Sequence, residues 1–480
     1  MASGSSSFRL TGLIDLAVSM AAGRMMQLIA FFLMARVLLP IEMAQVVVLT
    51  LVFTGLNQLT NVGFDRYIIF SKAPDSDELS NDIDVVWTMQ LIRAAVILLA
   101  GSLIILLLSL DEQLAVPWGQ GLAVCGSASL ISLTNPGLAV FERSGSFATP
   151  SRIRGLATIA GALASMLALL VSETSWSYAL GQVIYSLVLV GMSFWFSRRK
   201  IKLSFDFSRW AVVFQYCKHL LLIAVVSYIA LHAQNIYVAA IFSPTTLSAY
   251  FIWFRLVSTP NDLASQFSWS THYATASEDA RTGSSVARAH KKNFMYVFAV
   301  LIPIYNLIWF HGDILVELII GDEFVHYWWA GRIMILSNLC MAFAVTMGPF
   351  LLVRLPHITS SLRTFEAGCT VLLIILLGNV LGDLGVVLAV FGTLFCSLIF
   401  RIYILFSRLI LESRRAHFYD LMGILFFISA PFLVLQGISL LFADPLSSLV
   451  FILSSYLVAW PALFYTLISG RGRPSFAADV

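Results

Sequence analysis

The chain has 480 residues, of which 59% are hydrophobic and only 11% charged, and its mean hydropathy is +0.88. A soluble domain carries about 25% charged residues, and so few polar side chains cannot cover a core this apolar in water. Lipid is therefore the solvent, and the net charge of +3 reads as topology signals and headgroup contacts, not as a nucleic-acid footprint.

A membrane helix needs about 20 mostly apolar residues to cross the roughly 30 Å hydrocarbon core. About fourteen such segments are predicted: 12–36, 43–64, 85–110, 115–140, 155–172, 176–196, 219–242, 246–269, 294–311, 330–352, 364–381, 384–406, 420–442 and 446–469. They are long continuous runs, unlike the short alternating segments of a transmembrane barrel. The expected class is an all-α polytopic membrane protein. The first apolar stretch reads as a retained span, not a removable signal peptide.

The first helix carries Arg24 near its middle, with Gln27 one turn on and Asp15 nearer its start. Intramembrane charges of this kind cost about 2.5–3.5 kcal/mol on insertion scales and usually face a bundle interior or a water-filled cavity. The second helix carries Thr50, Thr54, Asn57, Asn61 and Asp65 at three- or four-residue spacing, which places them on one face. Such a stripe lines either a cavity or a hydrogen-bonded helix interface. Arg93 lies about ten residues into the third helix.

The loop from Ser197 to about Lys218 holds six Lys or Arg and follows six predicted spans. It divides the chain into an N-terminal lobe (1–196), a basic linker (197–218), a C-terminal lobe (219–411) and two further helices with a short tail (412–480). Six spans per lobe implies a parallel repeat. Ala35 to Pro40 and Ala239 to Pro244 occupy matching positions in the two lobes.

The seventh helix presents Tyr228, His232 and Asn235 on one face; His232 there is a hydrogen-bonded packing residue or a proton carrier. The eighth carries Arg255 and, two turns later, Asp262, with Pro260 between them. Arg36, Arg332 and Arg401 lie near helix ends and read as snorkelling or structurally paired cations. Between the ninth and tenth helices, Tyr327, Trp328 and Trp329 form an interfacial anchor.

With both termini placed in the cytoplasm, the outside loops carry no Lys or Arg, only acids such as Glu42, Asp111, Glu173, Asp322 and Asp444. That partition follows the positive-inside rule. The five cysteines are scattered within predicted helices and show no C-x-x-C spacing, so they read as packing residues. No metalloprotease, nucleophile-elbow or Walker pattern occurs, so neither enzyme chemistry nor ATP hydrolysis is expected. No cofactor is implied. A cationic interior without a nucleotide site suggests a secondary transporter for an anion.

Specific stretches resemble a known family. Gly23-Arg24, Ala35 to Glu42 and Asn61 to Phe64 resemble the opening of the Wzx-type polysaccharide flippases of the multidrug/oligosaccharidyl-lipid/polysaccharide exporter superfamily. Arg255 to Pro260 resembles that family's eighth helix. Gly312 to Phe324 and Gly378 to Ala389 resemble its second-half pattern. One departure is Ala44, where the family usually opens the second helix with glycine.

The resemblance implies translocation of a polyprenyl-diphosphate-linked oligosaccharide across the bacterial inner membrane by alternating access, for surface or exopolysaccharide synthesis. Arg24 and Arg255 would pair with the diphosphate, with Arg93, Asn57 and Asn61 as further substrate contacts. Asp15, Asp65, His232 and Asp262 are the candidates for ion or proton coupling. The expected partners are the lipid-linked sugar, a polysaccharide polymerase and a chain-length regulator. A drug/ion antiporter would favour acidic cavity residues instead, and an embedded polymerase would show a large outside loop.

Overall fold

The computed structural model describes residues 22–59, 63–70, 76–110, 116–144, 148–197, 201–282, 286–410, 414–439, 442 and 444–469. Among these residues every regular element is helical. Ten helices are long and apolar enough to cross a membrane. Large apolar side chains stand on the outside, Leu170 and Val171 being 84% and 89% exposed. A soluble surface excludes such patches. The protein is a multi-pass membrane protein.

The chain divides into two compact units, Met1–Ser248 and Ala249–Val480. The first contains α1 (22–37), α2 (Pro40–Leu59), α3 (Phe64–Phe70), α4 (Ser76–Ser109), α5 (Trp118–Ser132), α6 (Leu138–Arg143), α7 (Ala148–Val171), α8 (Trp176–Ser197) and α9 (Phe207–Ile241). Helix α10 (Pro244–Thr282) starts at its end. The second unit continues with α11 (Val286–Ile319), a 3₁₀ turn (Asp322–Tyr327), α12 (Trp328–Arg354), α13 (Pro356–Ile404), a π turn (Leu405–Leu409), α14 (Arg414–Ser439) and α15 (Pro445–Ser469).

In the first unit α7 packs along α8, and α5 packs on both α4 and α8. The α7–α8 contact is backbone against backbone. A Cβ added at Gly161 would stand 2.8 Å from the Gly181 carbonyl oxygen. Small residues let membrane helices approach this closely, where van der Waals packing replaces the hydrophobic drive. Gly161→Val is expected to destabilise the unit by about 1–3 kcal/mol through overpacking. Thermal unfolding of the purified protein in detergent checks this; an unchanged transition would refute the close contact.

The predicted span 115–140 is interrupted. Helix α5 stops at Ser132, and Pro136 offers no backbone N–H to continue it. Side chains take up the freed backbone groups: Asn135 Oδ1 accepts from Gly137 N at 2.8 Å, and Asn135 N donates to Ser193 Oγ at 2.9 Å. Irregular backbone inside a membrane protein requires such internal partners.

Helix α9 begins at Phe207, within the stretch read as linker. Asp206 caps it, accepting from Ser208 N at 3.1 Å and Arg209 N at 3.3 Å. The Ser208 hydroxyl and then the Arg209 amide hold its carboxyl below the usual Asp range. Its capping is thus in place at neutral pH and lost as pH falls through that lowered value. The preceding segment is pinned to α4: Lys202 N donates to Asp84 Oδ1 and Ser204 N to Thr88 Oγ1, both at 2.9 Å, while Arg209 pairs with Asp82 at 3.1 Å.

In the second unit α10 runs through Pro260 as one helix. Helix α13 holds two predicted spans, divided at Gly382, whose φ of 64° interrupts the helix. Its halves are joined by a buried ion pair, Arg401 Nη2 to Glu366 Oε1 at 2.6 Å, with the side chains 1% and 4% exposed. Ser397 Oγ also donates to Glu366, and Arg363 pairs with its other oxygen at 3.1 Å. Arg332 lies over the Trp328 ring, 3.5 Å from its centroid. Helices α14 and α15 dock on α11 through polar contacts. Tyr456 Oη donates to Asn306 Oδ1 at 2.7 Å, and Trp460 Nε1 donates to the Ala299 carbonyl at 3.1 Å.

Candidate functional site

The charged and polar side chains at depth fall into separate groups. In the first unit Arg93 on α4 reaches the last turns of α2. Its Nη2 donates to the Asn57 carbonyl oxygen at 3.4 Å, and the charge of Asp65 on α3 acts on it. Asn57 spends its amide donor on Phe53 O at 3.0 Å in its own helix. Its Oδ1 is buried and has no hydrogen-bond partner. Thr50 likewise turns its hydroxyl back on Val46 O at 2.7 Å. Both bonds are the back-bonding that polar side chains adopt inside apolar helices.

The polar stripe does not extend along a single helix. Helix α2 ends at Leu59, and Gly63 turns the chain with a φ of 77°. Asp65 then sits exposed in the first turn of α3. The spacing carries no information about this break. Asn61 and Asp15 lie outside the described residues.

Helix α9 packs on α2 at mid-length. Tyr228 Oη donates to Leu51 O at 3.0 Å, and the Tyr228 and His232 rings lie 4.9 Å apart. Asn235 is fully buried, and neither its Nδ2 nor its Oδ1 has a hydrogen-bond partner. Arg24 belongs to a different locus. It is half-buried on α1, with Nη1 3.5 Å from Gln27 Oε1. The neighbouring Gly23 abuts Thr158 of α7. The charges of Arg24 and Arg154 both act on Tyr185 of α8.

In the second unit Arg255 is half-buried on α10, and its carbonyl accepts from Thr259 Oγ1 at 2.7 Å. Asp262 is exposed, and its charge acts on Tyr305 of α11. The Tyr305 hydroxyl donates to Val257 O at 3.1 Å. Asn261, buried between these positions, reaches Asn338 of α12 at 3.5 Å.

The structure thus brings together Arg93, Asn57 and Asp65, with Tyr228 and His232 further along α2. It places Arg24 against α7 and α8, and Arg255 with Asp262 on α10. Sequence reasoning missed two buried groups in the second unit. One is Glu366, the partner of Arg401; Arg401 reads in sequence as a snorkelling or structurally paired cation, and the acid in the preceding predicted span was the available signal for the pair. The other is a histidine pair, His290 and His417, for which no local pattern exists. Among the described residues no group of three or more His, Cys, Asp or Glu is arranged to hold a metal ion.

The chain and its fold have known counterparts. A family model described as "Polysaccharide biosynthesis protein" matches residues 33–328, well over half of the chain. No curated protein matches in sequence. Among solved structures, the lipid II flippase MurJ in an inward closed conformation is similar with a TM-score of 0.73 at 14% identity, over 95% of this chain and 100% of that one. An outward-facing multidrug resistance MATE family transporter of the MOP superfamily is similar with a TM-score of 0.52 at 14% identity, over 86% and 95%. A mutant of the Vibrio cholerae MATE transporter VcmN gives 0.55 at 12% identity, over 83% and 97%. At such identities the likeness establishes the fold.

Proposed function

The chain belongs to the polysaccharide biosynthesis protein family, and from that premise we propose that it is a flippase, not an enzyme, which carries a polyprenyl-diphosphate-linked oligosaccharide across the bacterial inner membrane. The observation that carries this reading is the half-buried Arg93, whose guanidinium lies at mid-helix in an apolar span against the end of α2. Arg24 and Arg255 add half-buried cations on two other segments read as spans from the sequence. A cation held there at a cost of a few kcal/mol requires a compensating function, and a diphosphate is the matching anion. Asn57 and Asn61 are assigned to sugar hydroxyls. Asp15, Asp65, His232 and Asp262 are assigned to ion coupling.

The same reading places both termini in the cytoplasm and keeps two six-helix lobes, 1–196 and 219–411, with two additional helices. The membrane potential favours outward movement of negative charge by about 2.3 kcal/mol per charge per 100 mV. The MurJ-like fold is consistent with lipid-linked cargo. An antiporter of cationic drugs calls for acids at these depths, where Arg24, Arg93 and Arg255 stand instead.

The test is a bacterial host lacking its own flippase and making a polyprenyl-diphosphate-linked oligosaccharide. Expression of this chain is expected to move the sugar into reach of an impermeant lectin added outside. Continued accumulation on the inner leaflet, with the protein correctly inserted, would reject the reading.

A further inference from the structure

A buried polar chain crosses four helices of the second unit, apart from the residues assigned above. Ser268 on α10, Asn293 and His290 on α11, Thr346 on α12 and His417 on α14 are each at most 3% exposed. Asn293 Nδ2 lies 2.9 Å from both Ser268 Oγ and Thr346 O. Thr346 Oγ1 lies 3.4 Å from His290 Nε2, and His290 Nδ1 lies 3.1 Å from His417 Nε2.

The protons of this chain can be assigned from its donors. Thr346 Oγ1 gives its only hydrogen to Phe343 O at 2.8 Å. Toward His290 it can therefore only accept, so His290 Nε2 carries a hydrogen. In the neutral ring Nδ1 is then an acceptor, and His417 Nε2–H must donate to it. One further proton fits: it enters at His417 Nδ1, and the contact becomes a charge-assisted N–H···N bond. A second proton does not fit. It would have to enter at His290 Nδ1, setting N–H against N–H across 3.1 Å.

We propose that His290 and His417 form a one-proton binding site whose occupancy tightens the docking of α14 on α11. The charged groups facing it are Lys291 of α11 and Asp420 of α14, themselves paired at 2.9 Å. Helix α12 presents Thr346 and the edge-on Phe350, and the π turn presents Phe406 to His417; none of these titrates. Lys291 opposes the extra proton and Asp420 favours it, so the ion pair sets the affinity of the site. The proton site is independent of the cargo proposed above.

The experiment is a pH titration of the full chain in lipid nanodiscs, with nitrogen-labelled histidines followed by NMR between pH 8 and pH 4. Two imidazole signals are expected to move together in one step that takes up one proton. His417→Gln is expected to remove that proton from the potentiometric count. Two independent steps, or no shared step, overturn the proposal. Lys291→Met is expected to move the step to higher pH and Asp420→Asn to lower pH; a step that neither variant moves also overturns it. Hydrogen exchange in α14 is expected to be slowest in the one-proton form, and equal exchange on both sides of the step rules out the docking role.

Discussion

Arg24→Gln and Arg255→Gln are each expected to reduce export of the polymer by roughly 10- to 100-fold while the protein still inserts and accumulates normally. A hydrogen bond to a charged group is worth about 1.5–3 kcal/mol, and each 1.4 kcal/mol is about tenfold in binding. Glutamine stays polar but is shorter and lacks the guanidinium's charge and most of its N–H donors, so the loss measures the charged fork as a whole. Arg36→Gln is the control: Arg36 is exposed at the end of α1, and its replacement is expected to leave export unchanged. The measurement is surface polysaccharide in the flippase-deficient host, normalised to protein in the membrane. Full export by both variants would remove the diphosphate role, and equal losses in all three would reduce it to general loop charge.

The second large effect is on stability. Glu366→Leu strands Arg401, which is 1% exposed, without its counter-charge in the last turn of α13. Removing one partner of a buried ion pair costs about 3–5 kcal/mol, because an uncompensated buried charge remains. The double variant Glu366→Leu/Arg401→Met is expected to recover most of that loss, since a well-packed apolar pair of similar volume often matches a buried ion pair. Thermal unfolding in detergent, monitored for the parent, the single and the double variant, checks both expectations. A single variant as stable as the parent would show that the pair does not hold the two halves of α13 together.

The break within α13 was legible beforehand. The segments 364–381 and 384–406 were separated at the glycine and aspartate that follow Leu381, and Gly382 adopts a φ of 64° there. The break within the fourth span was not anticipated, although Pro136 marks it. Hydropathy runs on through a proline, and whether the chain turns depends on partners such as Ser193, 58 residues away, for the freed backbone. The stripe on α2 was legible only as spacing. The turn at Gly63 and the inward bonds of Thr50 and Asn57 belong to backbone conformation, which spacing does not encode.

The sequence by itself determined the solvent, the all-helical class and the order of the apolar segments, because hydropathy is a local property of each helix and lipid admits few backbone solutions. It also marked Arg24, Arg93 and Arg255 as costly, and therefore informative, charges. Tertiary structure alone decided which polar groups meet. Glu366 and Arg401 are 35 residues apart, and His290 and His417 are 127 apart. Such pairings arise from the packing of whole helices, and each helix reads the same in sequence whichever neighbour it finds.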